Sequence, residues 1–229
     1  MKKRNIPSAH HPLNEILGGF APGTLTVVRS LDDESEWGNL QDLIIEETQR
    51  LAFDKVPTLF ISLKMTEMEL CKELITDTSK ERPEILPEDK LKLLDESQLY
   101  VMEKKDLSLK NLPDNILPFP GKNQPRVVII DSIDEVVPEQ NIIQEGITFV
   151  NRLIESAKKE GCCVILTDYA NLLETGYPRR DEVTEIDLKT TLEGIVQAQV
   201  VNNKVFQTIP DIHQKTVMEI PVKPAKTTS

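Results

Sequence analysis

A chain of 229 residues fits one α/β domain, or one domain plus a small appendage, and its 39% apolar content, below the usual range, suffices for a core. A net charge of −11 excludes broad, non-specific binding to nucleic acid or an anionic membrane, since both need a positive surface; a local basic patch is still allowed. No apolar run reaches the ~20 residues of a membrane span, and no apolar core follows Lys2, Lys3 and Arg4 as in a secretory signal, so a cytoplasmic protein is expected.

Residues 1–12 read as a polar N-terminal segment, with His10 and His11 ahead of Pro12. Adjacent histidines without further ligands suit a solvated lead-in better than a metal site. Residues 13–222 read as a single domain. It opens with the turn Gly18-Gly19-Phe20-Ala21-Pro22-Gly23 and a β-type run over Thr24–Val28. A long helix is expected from about Asp33 to Phe53, with Leu40, Leu43, Ile44, Thr48 and Leu51 near one face and glutamates on the other. Strand, tight loop and helix form the layout in which backbone N–H groups at a helix start hold a phosphate.

Pro57–Leu63 reads as a buried strand, and Thr66-Glu67-Met68-Glu69 as a capping box opening a helix to about Thr76. A charged stretch, 77–98, is expected to hold a loop and a short helix, and Leu99–Glu103 a strand. Pro113, Pro118, Pro120 and Pro125 mark an exposed connection. RVVII, Arg126–Ile130, is a buried strand ending at Asp131. A helix over about Gln140–Glu160 carries Ile143, Ile147, Val150, Leu153 and Ile154 at helical spacing, and Gly161 suits its left-handed cap. Cys162–Thr167 is the next buried strand. Cys71, Cys162 and Cys163 lack metal-ligand spacing, and the last two read as buried free thiols, in keeping with a reducing compartment.

Residues 168–186 read as a long loop holding Tyr177-Pro178-Arg179-Arg180. Beyond Gly194, Val200–Val205 suggests a hairpin with an Asn-Asn turn, Val217–Val222 a last strand, and 223–229 a flexible tail. The sum is a mainly parallel sheet flanked by helices, with antiparallel strands at the C-terminal edge. Function in such a sheet is expected at the carboxyl ends of its strands. No Ser/His/Asp or Cys/His constellation emerges; His213 reads as a surface residue.

At those strand ends the sequence resembles the RecA-like ATPase domain of DnaB-type replicative DNA helicases. LNEILGGFAPGTLTVV is similar to the segment ahead of that family's P-loop, FISLKMTEMEL to its F-S-L-E-M-S stretch, VVIIDSIDEVV to its Walker B strand, and VILTDYANLLE to the next strand and sensor loop. Asp187-Leu188-Lys189 is a weaker echo of its D-L-R-E-S-G region. The resemblance covers roughly residues 5–200 and includes no counterpart of the family's N-terminal helical domain and linker.

The departures are informative. Counted without gaps from the TVV strand, the family's Gly-Lys-Thr falls on Ser35, Glu36 and Trp37. Glutamate for the phosphate-binding lysine reverses a charge, a swing of several kcal/mol at about 4 Å and an effective dielectric of ~20. An indole has no acceptor for Mg²⁺ where threonine would hold it. The family's catalytic glutamate falls on Lys64, its sensor glutamine on Asp168, and no arginine follows Arg180 to serve as a finger; only the Walker B position, Asp131, is kept.

What the resemblance with these losses implies is a non-catalytic helicase relative without cofactor or metal. It would be a monomer or small oligomer acting through a protein partner in DNA replication or a mobile element. The alternative is an ATP-dependent helicase or ATPase with an atypical P-loop, using ATP and Mg²⁺. Arg179 and Arg180 are the candidate DNA contacts, set against a solvated mixed-charge loop. Asp131 suits a structural hydrogen bond, Glu36 and Lys64 a salt bridge across the former pocket. The acidic run from Asp32 to Glu36 can satisfy helix N–H groups or form a solvated turn.

Overall fold

The computed structural model describes residues 4–31, 38–76, 87–103, 125–136, 142–169, 181–191, 195–202 and 205–212. Outside them lie Ser35, Glu36, Trp37 and their acidic neighbours, most of the proline-rich connection, Arg179 and Arg180, His213, the expected strand over Val217–Val222 and the tail.

In chain order the elements are α1 (His11–Leu17), β1 (Leu25–Ser30), α2 (Gly38–Phe53), β2 (Thr58–Ser62), α3 (Glu67–Thr76), α4 (Pro87–Asp95), β3 (Leu99–Glu103), β4 (Val127–Asp131), α5 (Ile142–Glu160), β5 (Cys163–Asp168), β6 (Val183–Thr190), β7 (Val196–Val201) and β8 (Phe206–Ile209). They build an eight-stranded sheet in the order β3-β2-β4-β5-β1-β6-β7-β8. The strands from β3 to β6 run parallel, and β7 and β8 add antiparallel to that edge.

Strands β1, β2, β4 and β5 are buried along their whole length, as continuous apolar runs in a sheet covered on both faces must be. Alternation sends Val28, Phe60, Ile129 and Ile165 to one face, where they pack with Leu40, Leu43 and Ile44 of α2. Val27, Ile61, Ile130 and Leu166 go to the other, against Phe149, Val150, Leu153 and Ile154 of α5. Gly161 ends α5 at φ 63, the left-handed conformation expected of it. The capping box is closed: Thr66 N donates to Glu69 Oε2 at 2.8 Å and Glu69 N to Thr66 Oγ1 at 3.2 Å.

Three expectations need correction. First, the stretch read as a loop to residue 186 already includes the start of β6, a strand between β1 and β7. Second, α2 does not turn all its glutamates to solvent. Glu47 is 1% exposed, because Ala9 N donates to both of its carboxylate oxygens at 2.9 Å and Ser8 Oγ adds a third hydrogen bond. Third, His10 is buried with its Nε2 3.4 Å from Glu46 Oε2, while His11 opens α1 with Pro12 in its first turn, so of the pair only His11 is solvated.

Residues 6–10 therefore lie as a strap across α2. A bridge between Ile6 and Phe20, with N–H···O distances of 2.9 and 2.7 Å, anchors the strap's start. Gly19 permits that approach: its φ is +88, and a Cβ there would lie 2.5 Å from the Ile6 carbonyl oxygen. No helix among the described residues is long and apolar enough to cross a membrane.

Candidate functional site

The carboxyl ends of β1, β5, β4 and β2 bring Arg29 and Ser30, Asp168, Asp131 and Lys64 to one rim of the sheet. One strand, β5, separates β1 from β4. Of the residues singled out in the sequence, the described ones, Lys64, Asp131 and Asp168, share this rim.

Asp131 ends β4 and is 1% exposed. Strand register explains its partner. Ile130 lies opposite Leu166, so Asp131 falls beside Thr167, whose hydroxyl donates to Asp131 Oδ1 at 2.7 Å. The buried Tyr169 lies close enough to Asp131 for the two groups to act on each other electrostatically. Burial pushes the Asp131 carboxyl above its usual range; the hydrogen bond from Thr167, the nearby Lys64 charge and the Tyr169 phenol oppose this without cancelling it. The Tyr169 hydroxyl is pushed up in turn, by burial first and then by Asp131. The Asp131 main-chain oxygen accepts from Leu63 N at 2.7 Å, which ties the end of β4 to the start of the β2–α3 loop.

That loop is held from within. Met65 N donates to Ser62 Oγ at 3.0 Å, and Ser62 Oγ donates back to the Met65 carbonyl. It sets the Lys64 ammonium 4.4 Å from the centre of the Tyr169 ring, a cation–π contact. Tyr169 is fixed from its other side, its N–H donating to Asp134 Oδ2 at 2.8 Å. The rim thus holds a connected set: Lys64 on Tyr169, Tyr169 on Asp131, Asp131 on Thr167. The Glu36 half of the expected salt bridge lies outside the described residues.

Asp168 ends β5, fully buried. It is in register with Arg29 of β1, and Arg29 on its other side is in register with Asp187 of β6. Arg29 Nε donates to Asp187 Oδ1 at 2.7 Å and its terminal nitrogen to Glu185 Oε2 at 2.8 Å. Sequence reasoning missed Thr167, Tyr169, Arg29 and Glu185. Thr167 was accessible from register arithmetic alone, since parallel neighbours of equal phase place it beside Asp131. Tyr169 carried no signal beyond following Asp168. Among the described residues, no group of three or more His, Cys, Asp or Glu side chains converges as a metal site.

No protein-family model matches this sequence, and no curated protein does. Solved structures do. The ATPase domain of a DnaB-like helicase aligns with 90% of this chain and 88% of its own length, at a TM-score of 0.68 and 14% identity. A DnaB-like replicative helicase, solved to describe its interactions with primase, aligns with 90% of this chain at a TM-score of 0.70 and 14% identity. The chain spans 58% of that helicase's length. A KaiC-like protein from the hyperthermophilic archaeon Pyrococcus horikoshii aligns with 91% of this chain and 92% of its own, at a TM-score of 0.58 and 17% identity. The fold is RecA-like, a mainly parallel sheet between helices with an antiparallel edge. More particularly, it is the fold of the ATPase domains of DnaB-like helicases.

Proposed function

We propose that this chain is a non-catalytic relative of DnaB-type helicases, acting through protein contacts as an accessory or regulatory factor in DNA replication or a mobile element. The observation that carries this reading is the state of Asp131. In a working site of this fold its carboxylate would help to hold Mg²⁺. Here it is buried and accepts a hydrogen bond from the Thr167 hydroxyl, and burial pushes its carboxyl above the usual range. A buried carboxyl committed to an internal donor is a poor ligand for a hard dication. Lys64, where the resemblance puts the catalytic glutamate, is a cation that cannot accept a proton from water. Both features weigh against use of Mg²⁺ and ATP at this rim. The gapless placement of Ser35, Glu36 and Trp37 on the Gly-Lys-Thr positions points the same way.

The DnaB-like helicase solved with primase supports a protein as the class of partner. A monomer or small oligomer is the form in which this chain would meet it.

The test is titration of the purified chain with ATP and Mg²⁺, followed by calorimetric heat and by the fluorescence of Trp37, the single tryptophan. The expected outcome is no saturable signal at millimolar ATP. Saturable micromolar binding that requires Mg²⁺ would overturn the proposal and favour an ATP-dependent helicase with an atypical P-loop.

A further inference from the structure

The N-terminal strap meets the rest of the chain along its length. At its start, Ile6 and Phe20 exchange main-chain hydrogen bonds. In its middle, Ala9 N and Ser8 Oγ donate to the Glu47 carboxylate. At its end, the His10 imidazole meets Glu46, with Nε2 3.4 Å from Oε2. This last contact uses the side chain whose ordinary pKa already lies between pH 5 and 8. The main chain of His10 is fixed: its N–H donates to Ser8 Oγ at 3.0 Å, and its carbonyl accepts from Leu13 N at 3.1 Å and Asn14 N at 3.3 Å in the first turn of α1. The ring therefore belongs to the strap and to the α1 start at once, and is presented to α2 by both.

The charges around that ring lean negative. From α2 come Glu46, Glu47 and Arg50, and Arg50 is 3.7 Å from Glu47 while also donating to the Pro7 carbonyl. On α1, the exposed His11 and Glu15 face each other at 3.7 Å. In the sheet below, the Cys163 thiol, near enough to feel Glu47, is pushed up to about 12 and stays neutral. Arg50 thus answers Glu47, and Glu46 is left to answer His10. Burial by itself favours a neutral imidazole, and a carboxylate at contact distance favours a charged one. The His10 side chain is 1% exposed and that of Glu46 13%, so solvent still reaches the acid and keeps it ionised.

We infer that His10 is a proton-operated latch for the strap: charged, it holds residues 7–10 to α2 through Glu46, and neutral, it lets them lift. The sign follows from linkage. The closed strap gives the imidazolium a partner that the open strap lacks, so the ring holds its proton more tightly when closed. The latch is fully engaged below the open-strap value, ~6.5 for a free imidazole, and is lost as pH rises through the closed-strap value. The device lies on the α2 side of the fold and is independent of how the rim around Asp131 is used.

Two measurements on the full chain, labelled with ¹⁵N and ¹³C, test this. The first is the pH titration of the His10 ring carbon signal, assigned by its loss in His10→Gln. The ring should titrate above ~6.5. The second is hydrogen exchange of the Ala9 amide, the donor to Glu47, corrected for the intrinsic rate at each pH. Its protection should fall about tenfold from about pH 5.5 to 8.5, the effect of one unit between the closed and open values. His10→Gln should make protection flat in pH, and His11→Gln should leave the parent's profile. Glu46→Gln changes the more exposed partner and spares the α1 start; it should lower the His10 titration and shrink the fall. A His10 ring that titrates below ~6.5, parent protection flat in pH, a His10→Gln variant that keeps the fall, or a Glu46→Gln variant that titrates as the parent does would each overturn the latch.

Discussion

Arg29 and Asp187, 158 residues apart in sequence, are register partners on adjacent parallel strands, and Arg29 Nε donates to Asp187 Oδ1 at 2.7 Å. Glu185 takes the other arm of the guanidinium at 2.8 Å. All three side chains are largely buried, Arg29 most of all. Removing the cation leaves two carboxylates without their partner, so Arg29→Gln should cost about 3–5 kcal/mol, read as a lower urea midpoint with an unchanged slope. Replacing Arg29, Glu185 and Asp187 together by apolar residues should cost far less, because no charge is stranded. Equal losses in the single and triple variants would remove the ion triad from the account of β6.

The Asp131 carboxyl predicts a pH dependence with a definite sign. Its folded pKa lies above the unfolded value of about 3.8. Between those two values the folded chain holds a proton that the unfolded chain has released, so this group's contribution to stability falls as pH rises through the window. Asp131→Asn carries no such proton. The stability difference, variant minus parent, should therefore grow as pH rises above about 3.8, then level off past the raised value. Urea unfolding of both chains across the acid range measures it. A difference flat in pH would mean that folding does not shift the Asp131 carboxyl.

Glu47 is the fastening of the N-terminal strap. It accepts from Ala9 N and Ser8 Oγ, and Arg50 lies 3.7 Å from its carboxylate while also donating to the Pro7 carbonyl. Glu47→Ala strands buried donors and should cost about 2–4 kcal/mol, with protease cuts appearing first within residues 4–10. The neighbouring Glu46→Ala, a change on a partly exposed side chain, should cost less. Limited proteolysis followed by mass spectrometry separates the two.

The cysteines should differ in reactivity. Cys162 and Cys163 are buried and free, and burial pushes the Cys163 thiol up to about 12. Cys71 is half-buried, and its thiol is raised too, by burial and then by Glu67 and Asp95. A thiol reagent near neutral pH should label Cys71 slowly and leave the other two untouched until the chain unfolds. Rapid native labelling of Cys163 would mean that β5 opens readily.

What the sequence showed plainly was what short-range pattern encodes. PTLFISL, RVVII and CVILT are continuous apolar runs and became buried strands; Thr66 with Glu69 and the lone Gly161 marked a helix start and a helix end. β6 was hidden because Glu185 and Asp187 look like solvent-facing charges, as the exposed Lys189 is. The burial of the two carboxylates is offset by Arg29, which no window of neighbouring residues contains. His10 was misread for the same reason, its partner Glu46 being on α2. At the rim, Asp131, Lys64 and Asp168 were legible because strand ends are; Tyr169, which links two of them, depends on how the chain turns after β5.

The placement of β5 between β1 and β4 has a consequence for what shape can reveal. Two strand intervals of about 4.8 Å each hold the ends of β1 and β4 ~10 Å apart, whatever side chains they bear. That ruler is made of main-chain hydrogen bonds, so selection can redecorate its tips freely while the ruler survives. Likeness measured by superposition therefore reports the frame, and livelihood has to be read from the few atoms mounted on it. In this chain those atoms are a buried acid, a hydroxyl, a phenol and a lysine that answer to one another.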